Sequence, residues 1–427
     1  MFARLGRPAV LALGACLMVA TATTAWADSD QPPPPPVPSE EQIYPAVVPL
    51  PTPDQDPWYD DPDDLAELHN GDIVRTRDVQ SYALGIPIPV ATKQILYRTT
   101  DPHDNPLVTA TTVLVPGIPW TGSPRPLVSY QEALDSTASI CNPSYTLRAG
   151  LFKEITLIQY FLEQGMAVAI PDFNGKKNSW LSASEGRMVL DGIRAVQRDA
   201  TLGLRDSGVG LYGYSGGGNA SASAAEQHAA YAPELRILGS AQGGVAGDKA
   251  ALFDRMIGPT TFYTVSAQWA LWSIVSGLAK DYPDVLRMDD LLTPEGVAYM
   301  RNMSGRCLWT EVATGLLTPP MAKFLKDPDL LRRPEIQQLL HDISFGNPEN
   351  RPDIPIFMWH SMTDQLIPLN AIMPVEQAYC RSGVNLRWFT IPMSEHVSAE
   401  LIAYQPADAW LSWVLRGGDP GPVLCQT

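Results

Sequence analysis

The sequence is poor in cysteine, histidine and positive charge, and no apolar stretch reaches the ~20 residues a membrane-spanning helix needs. With 30 Lys and Arg against 46 Asp and Glu, the formal charge is −16, a field that repels nucleic-acid phosphates and anionic membrane surfaces. Nucleic-acid binding is thereby excluded as a main function. The 5 cysteines contain no closely spaced pair of the zinc-knuckle kind, so a structural metal module is not expected. Charge of both signs is only 18% of the chain while 45% is hydrophobic, which rules out disorder throughout and supplies a sizeable core for 427 residues.

The first residues carry an export pattern. Arg4 and Arg7 precede the apolar stretch from Ala9 to Ala20, and Ala25-Trp26-Ala27 supplies small residues where a signal peptidase cuts. Thr21, Thr23 and Thr24 break the stretch, which argues against an anchor. Residues 1–27 are therefore expected to be a signal peptide cleaved after Ala27, giving a secreted protein. Leu13-Gly14-Ala15-Cys16 offers a lesser alternative, a lipoprotein acylated at Cys16, but the residues that follow stay apolar (Leu17, Met18, Val19). Cleavage removes two arginines and no acids, leaving a mature charge of −18 and four cysteines: Cys141, Cys307, Cys380 and Cys425. An even number in an exported chain points to two disulfides, with about three connectivities open.

Many of the 40 prolines crowd between residues 32 and 62, beginning with Pro32 to Pro36. Residues 28–56, rich in Pro, Asp, Glu and Ser, are expected to form a flexible extended leader. The cluster Asp60, Asp61, Asp63 and Asp64 lacks the glycine turn and terminal Glu of a calcium loop and is expected to be a solvated turn. From there helix and strand patterns alternate: a helix over Phe152 to Gln164, a strand at Met166 to Ile170, a helix around Arg187 to Gln197, a strand at Val209 to Tyr212 and a helix from Gly217 to His228. Further strands are expected at Ile237 to Ser240, Ile354 to His360 and Leu386 to Ile391, before a last amphipathic helix carrying Trp410, Trp413 and Val414. Such alternation predicts an α/β architecture, a mostly parallel sheet with helices on both faces. The rhythm stops between about 248 and 352, where Phe253, Phe262, Tyr263, Trp269 and Trp272 sit in helical patterns. That stretch is expected to be a helical cap inserted into one catalytic domain over residues 57–427.

Gly213-Tyr214-Ser215-Gly216-Gly217 directly follows a strand pattern and precedes an Ala-rich helix, the context in which G-x-S-x-G carries a nucleophilic serine. A strand turning at once into a helix forces the serine into strained backbone geometry, and glycines are what fit around it. A serine hydroxyl needs a base oriented by an acid, and this strand-serine-helix arrangement presents them in the chain order Ser, acid, His. Of the 6 histidines, His69 and His103 precede the serine, His228 follows it too closely and His341 falls in the cap. His360 ends a strand with little sheet sequence before it to supply an acid. His396, in a loop after the strand Leu386 to Ile391, remains as the base. Glu395 is its chain neighbour and cannot easily reach its ring, so Asp364, on the loop after the preceding strand, is the expected acid, with His360 in a structural role. One oxyanion donor is expected from the N–H of Gly216, and another from the loop Gln131 to Ser136.

Six motifs in order then carry a resemblance. Asp56-Pro57-Trp58-Tyr59, Ile95-Leu96-Tyr97-Arg98-Thr99-Thr100, Ala133-Leu134-Asp135-Ser136 with Cys141-Asn142-Pro143-Ser144-Tyr145, Leu190-Asp191-Gly192-Ile193-Arg194-Ala195, the serine turn and Tyr231-Ala232-Pro233-Glu234-Leu235 resemble the secretory lipase family of the lipase A type. The resemblance implies an α/β-hydrolase fold with a helical lid, hydrolysis of triacylglycerols and other carboxyl esters, and no metal or cofactor. It carries over Ser215, Asp364 and His396 as the triad and Asp135 as the source of the second oxyanion donor. It also implies pairing of Cys141 with Cys307 and of Cys380 with Cys425. Gly216 departs from a frequent Gln. The implied partner is a lipid or acyl ester, with transient adsorption of the cap at a lipid interface. A serine peptidase would need a group to grip a peptide terminus, and none stands out. An inert binding scaffold would be expected to have lost a triad member, and none is lost.

Overall fold

The computed structural model describes residues 37–122, 124–176, 179–258 and 266–425. The expected signal, Cys16, the Pro32 to Pro36 run, Phe262 and Tyr263 lie outside them.

Nine strands build one sheet: β1 (Ile73–Val79), β2 (Val90–Thr100), β3 (Pro106–Pro116), β4 (Leu127–Gln131), β5 (Ala167–Pro171), β6 (Val209–Tyr214), β7 (Ile237–Gly243), β8 (Ile356–Ser361) and β9 (Leu386–Ile391). Their spatial order is β1-β2-β3-β5-β4-β6-β7-β8-β9. The first three strands are antiparallel to their neighbours, and β3 also meets β5 antiparallel; from β5 onward all pairs are parallel. Every residue of β4, β5, β6 and β8 is buried, as required of parallel strands covered on both faces. The mostly parallel sheet follows the sequence pattern.

Helices α1 (Glu40–Val47), α2 (Pro143–Ala149), α3 (Ile155–Glu163), α4 (Glu185–Arg198) and α5 (Gly216–Tyr231) precede β7. Between β7 and β8 come α6 (Lys249–Ile257), α7 (Gln268–Asp281), α8 (Met288–Leu291), α9 (Pro294–Met303), α10 (Leu308–Leu316) and α11 (Pro334–Asp342). Their apolar faces close on a core of their own, centred on Trp272, Leu278, Met303 and Leu340, distinct from the two cores on either side of the sheet. Helix α12 (Met373–Arg381) and α13 (His396–Leu415) complete the chain, and no described helix is long and apolar enough to cross a membrane.

The leader departs from its expected extended form. Residues 40–47 are the helix α1, started by a Ser39 N–H bond to Gln42 Oε1 of 3.0 Å. Its Glu40 is buried, accepting from the Cys307 N–H at 2.9 Å and from the Thr310 hydroxyl at the start of α10. A carboxylate at a helix N-terminus meets the free N–H groups and the positive end of the dipole there. Arg306 donates to the Val37 carbonyl at 2.6 Å, and Tyr44 stacks on Tyr145 with centroids 6.4 Å apart. The averaged Pro-rich composition hid this short packed element. Two disulfides are formed, Cys141–Cys307, spanning 166 residues, and Cys380–Cys425, spanning 45.

Candidate active site

Strand β6 delivers Ser215 to the N-terminus of α5 with φ 55° and ψ −121°, a left-handed conformation that a serine adopts only under constraint. The constraint is crowding. A Cβ on Gly217 would lie 1.9 Å from the Gln131 carbonyl oxygen of β4, and one on Gly218 2.2 Å from the Gly243 carbonyl oxygen of β7. The helix thus starts wedged between two strand ends, and the Ser215 N–H is held by the Gly243 carbonyl at 2.9 Å.

His396 begins α13, and its Nε2 stands 2.8 Å from Ser215 Oγ. Its Nδ1 is 2.7 Å from Asp364 Oδ2. Because a carboxylate only accepts, Nδ1 carries the proton and Nε2 presents its lone pair to the serine hydroxyl. Asp364 is fixed in turn, its Oδ1 accepting from the N–H groups of Leu366 at 2.9 Å and Ile367 at 2.8 Å. The imidazole is further located by Tyr214, whose hydroxyl donates to the His396 carbonyl at 2.6 Å, and by Gln365, which accepts the His396 N–H at 2.8 Å. His360 bonds the Ile367 carbonyl through Nε2 at 2.9 Å and so steadies the Asp364 loop. The structure therefore joins Ser215, His396 and Asp364 in one hydrogen-bonded line. Of the remaining histidines, His103 bonds the Asp281 carbonyl, His228 bonds Asp353, His69 sits beside Asp72 just before β1, and His341 lies on α11.

Burial pushes the His396 pKa down, but the charge of Asp364 and its hydrogen bond, with Asp135 and Glu395 adding, outweigh it and leave the group raised. Burial pushes Asp364 up, yet the facing His396 and the bonds around it leave it lowered. This pair is arranged to hold an imidazolium against a carboxylate.

Asp135 and Gly216 meet beside Ser215. A Cβ on Gly216 would lie 2.0 Å from Asp135 Oδ1, so the aspartate occupies space that a larger residue at 216 would take. Asp135 has φ 42° and a carboxyl pushed up to about 6 by burial, with Lys153 and His396 opposing. The loop is anchored from the sheet side by α3 and its flank: the Ala133 N–H donates to Glu154 Oε1 at 2.9 Å, and Lys153 bonds Glu132 at 2.8 Å. Sequence patterns gave no sign of Lys153, Glu154 or Tyr214, since each acts through another residue.

Above these groups lies a pocket with apolar walls formed by Trp180, Leu181, Ala246, Leu252, Met256, Trp269, Ala270, Ile274, Leu366 and Ile367; Ser215, Asp135 and His396 are its polar members. Trp269 faces the pocket and stacks on Trp180 at 6.5 Å. Trp272, on the same helix, is fully buried against Tyr299 and Phe324 and serves the cap core. A second cavity deeper in the cap is lined wholly by apolar side chains, among them Phe253, Val275, Leu278 and Met321.

Elsewhere, burial raises the carboxyls of Asp172 to about 7, Glu226 to about 7 and Asp408 to about 8, the first against hydrogen bonds from Ser144 and the second against those from Gly346 and Tyr379. A carboxyl with a raised folded pKa binds its proton more tightly in the folded state. The stability it contributes is complete below the unfolded value near ~4 and is lost as pH climbs through the folded value. Asp364, being lowered, acts oppositely and only in stronger acid. The thermal midpoint is accordingly expected to be several degrees higher at about pH 5 than at about pH 9. Differential scanning calorimetry across that range checks it, and a midpoint rising toward pH 9 would contradict the assignment.

Comparison with known proteins follows the same lines. A family model described as secretory lipase matches residues 144–420. A secreted triacylglycerol lipase from Malassezia globosa is 32% identical over 381 residues, covering 86% of this chain and 82% of the relative. A Mycobacterium tuberculosis protein described as a probable inactive lipase is 34% identical over 385 residues, covering 87% and 84%. Among solved structures, Candida antarctica lipase A in its closed state superposes with a TM-score of 0.78 at 28% identity, covering 88% of this chain and 89% of that one.

Proposed function

The chain belongs to the secretory lipase family, and from that premise we propose that it is an active, exported hydrolase of triacylglycerols and related acyl esters, working through Ser215, His396 and Asp364. The observation that carries this reading is the unbroken line from Asp364 through His396 to Ser215 at the floor of an apolar pocket. His396 Nε2 takes the hydroxyl proton as Ser215 Oγ attacks the ester carbonyl, and Asp364 stabilises the imidazolium through Nδ1–H. The oxyanion is held by the Gly216 N–H, at the positive end of α5, and by a donor from Asp135. His396 then gives its proton to the departing alcohol. In the second half-reaction it activates a water that cleaves the acyl-enzyme and releases the fatty acid. Side chains, backbone N–H groups and water supply every step.

The wider organisation belongs to the same proposal. Residues 1–27 direct export with cleavage after Ala27, residues 57–427 form the hydrolase domain, and the helical insertion at about 248–352 is a cap over the site. Two disulfides and the secreted relative support an oxidising, extracellular destination. One relative is described as a probable inactive lipase; the intact hydrogen-bonded line is what favours the active reading here.

The pocket walls favour an acyl chain over a polar substituent, because each buried methylene contributes about 0.8 kcal/mol. Turnover of p-nitrophenyl esters is expected to rise from acetate toward medium and long acyl chains, and to rise again when long esters pass their solubility limit. A profile that is highest for acetate and indifferent to the solubility limit would turn the assignment from lipase to short-chain esterase. No turnover of any ester would overturn it.

A further inference from the structure

The oxyanion loop is gripped from two sides that meet at Asp135. Residues before it are tied to the sheet side through Ala133 and Glu154, and residues after it are tied to the cap. Ser136 Oγ donates to the Arg306 carbonyl at 3.0 Å. Lys280 Nζ, near the end of α7, donates to the Thr137 carbonyl at 2.8 Å. Glu311 on α10 is fully buried and accepts from Ser273 Oγ of α7 at 2.7 Å, which ties the two helices together, while burial holds its carboxyl well above the usual range. Four residues on from Thr137, Cys141 is bridged to Cys307 at the start of α10. Helix α10 is itself locked to α7, since a Cβ on Gly315 would lie 2.3 Å from the Trp269 Cβ.

Asp135, between the two grips, is one of the few non-glycine residues at positive φ. Held at positive φ between ties to the sheet side and to the cap, its strained backbone is placed to respond to the separation of the two. Helix α7 also carries Trp269, Ala270 and Ile274 into the pocket wall. One helix thus touches the place where an acyl chain would lie and the loop that would hold the oxyanion.

We propose that Lys280 is a positioning residue which sets the oxyanion loop from the cap, coupling the seating of α7 on an acyl chain to the alignment of the donor at Asp135. The inference rests on the ester-hydrolase reading above and adds to it a route by which chain length acts on kcat rather than on binding alone. An ammonium on a buried carbonyl is a charge-assisted bond, and its loss leaves the Thr137 peptide free to turn. Displacement of one oxyanion donor costs as much as 10²–10³ in kcat when the donor is removed outright, and about 10–100-fold is expected when it is only misaligned.

The test compares Lys280→Met, Lys280→Arg and Ser136→Ala with the wild type on a short and a long p-nitrophenyl ester. Lys280→Met is expected to lose about 10–100-fold in kcat on the long ester with KM within about twofold, and to lose much less on the short one. Lys280→Arg should recover most of the loss. Inhibition by a long-chain trifluoromethyl ketone, which adds to the serine and forms an oxyanion, should weaken in parallel with kcat, while binding of the matching unreactive ether stays unchanged. Should Lys280→Met fail to fold, judged by its thermal midpoint, Ser136→Ala, which removes the other tie from the loop to the cap, carries the same comparison. Variants with wild-type kcat, or with ether and ketone binding weakened alike, overturn the coupling while leaving ester hydrolysis intact. A wild type that turns over no ester overturns the functional reading and this inference with it.

Discussion

Replacing Ser215 by Ala is expected to lower kcat on a soluble chromogenic ester by about 10⁴-fold or more, with little change in KM and no loss of fold. The size follows from how the groups act together. Among the described residues around the pocket, His396 and Asp364 have no other hydroxyl to activate: Nε2 faces Ser215 Oγ at 2.8 Å, and the described walls are apolar apart from Asp135. Pocket binding and the oxyanion donors would survive and supply the small residual rate. The side chain lost is a single oxygen, and the strained backbone at 215 is imposed by its neighbours rather than by the hydroxyl. Stopped-flow or steady-state assays beside a thermal melt check it; turnover within tenfold of wild type would remove Ser215 from the mechanism.

Replacing Gly217 by Ala is expected to destabilise the protein by about 3 kcal/mol or more, against the trend for glycine in a helix. By helix propensity alone the change would stabilise by about 1 kcal/mol. The new Cβ, however, falls 1.9 Å from the Gln131 carbonyl oxygen and 2.7 Å from its carbon, both backbone atoms of a central buried strand. No rotamer relieves that overlap, so α5 must move away from β4. The movement would carry Ser215 away from His396 and Asp135 together, so activity should fall along with stability. Denaturant unfolding decides between the two effects: a midpoint equal to or above wild type would show that the elbow has slack which the geometry denies.

The parts of this molecule visible in sequence are those where one physical demand acts alone. Ser215 stood out because a strand-to-helix reversal needs glycines on both sides, and His396 because so few histidines follow it. The parallel strands were legible as short apolar runs, since burial on both faces leaves no room for alternation. The antiparallel strands β2 and β3 were not, because their buried positions mix Thr and Gln with apolar residues such as Ile95, Leu96 and Val113, and Gln94 Nε2 donates to Thr112 Oγ1 and the Ser144 carbonyl. Helix α1 was hidden by the prolines around it. Lys280 and Glu311 lie on amphipathic cap helices, where a charged residue reads as a solvent contact; only the fold turns them inward. Trp269 and Trp272, three residues apart, could not be told apart until one faced the pocket and the other the cap core.

The central claim, that Ser215 is an activated nucleophile under a cap, is tested most directly by reacting the protein with a long-chain alkyl fluorophosphonate and mapping the adduct by mass spectrometry. The account predicts one phosphonyl group per molecule, carried on Ser215, with loss of all ester turnover in step with labelling and no adduct in Ser215→Ala. A folded wild-type protein that stays unlabelled, or is labelled at another residue while ester turnover persists, would contradict it.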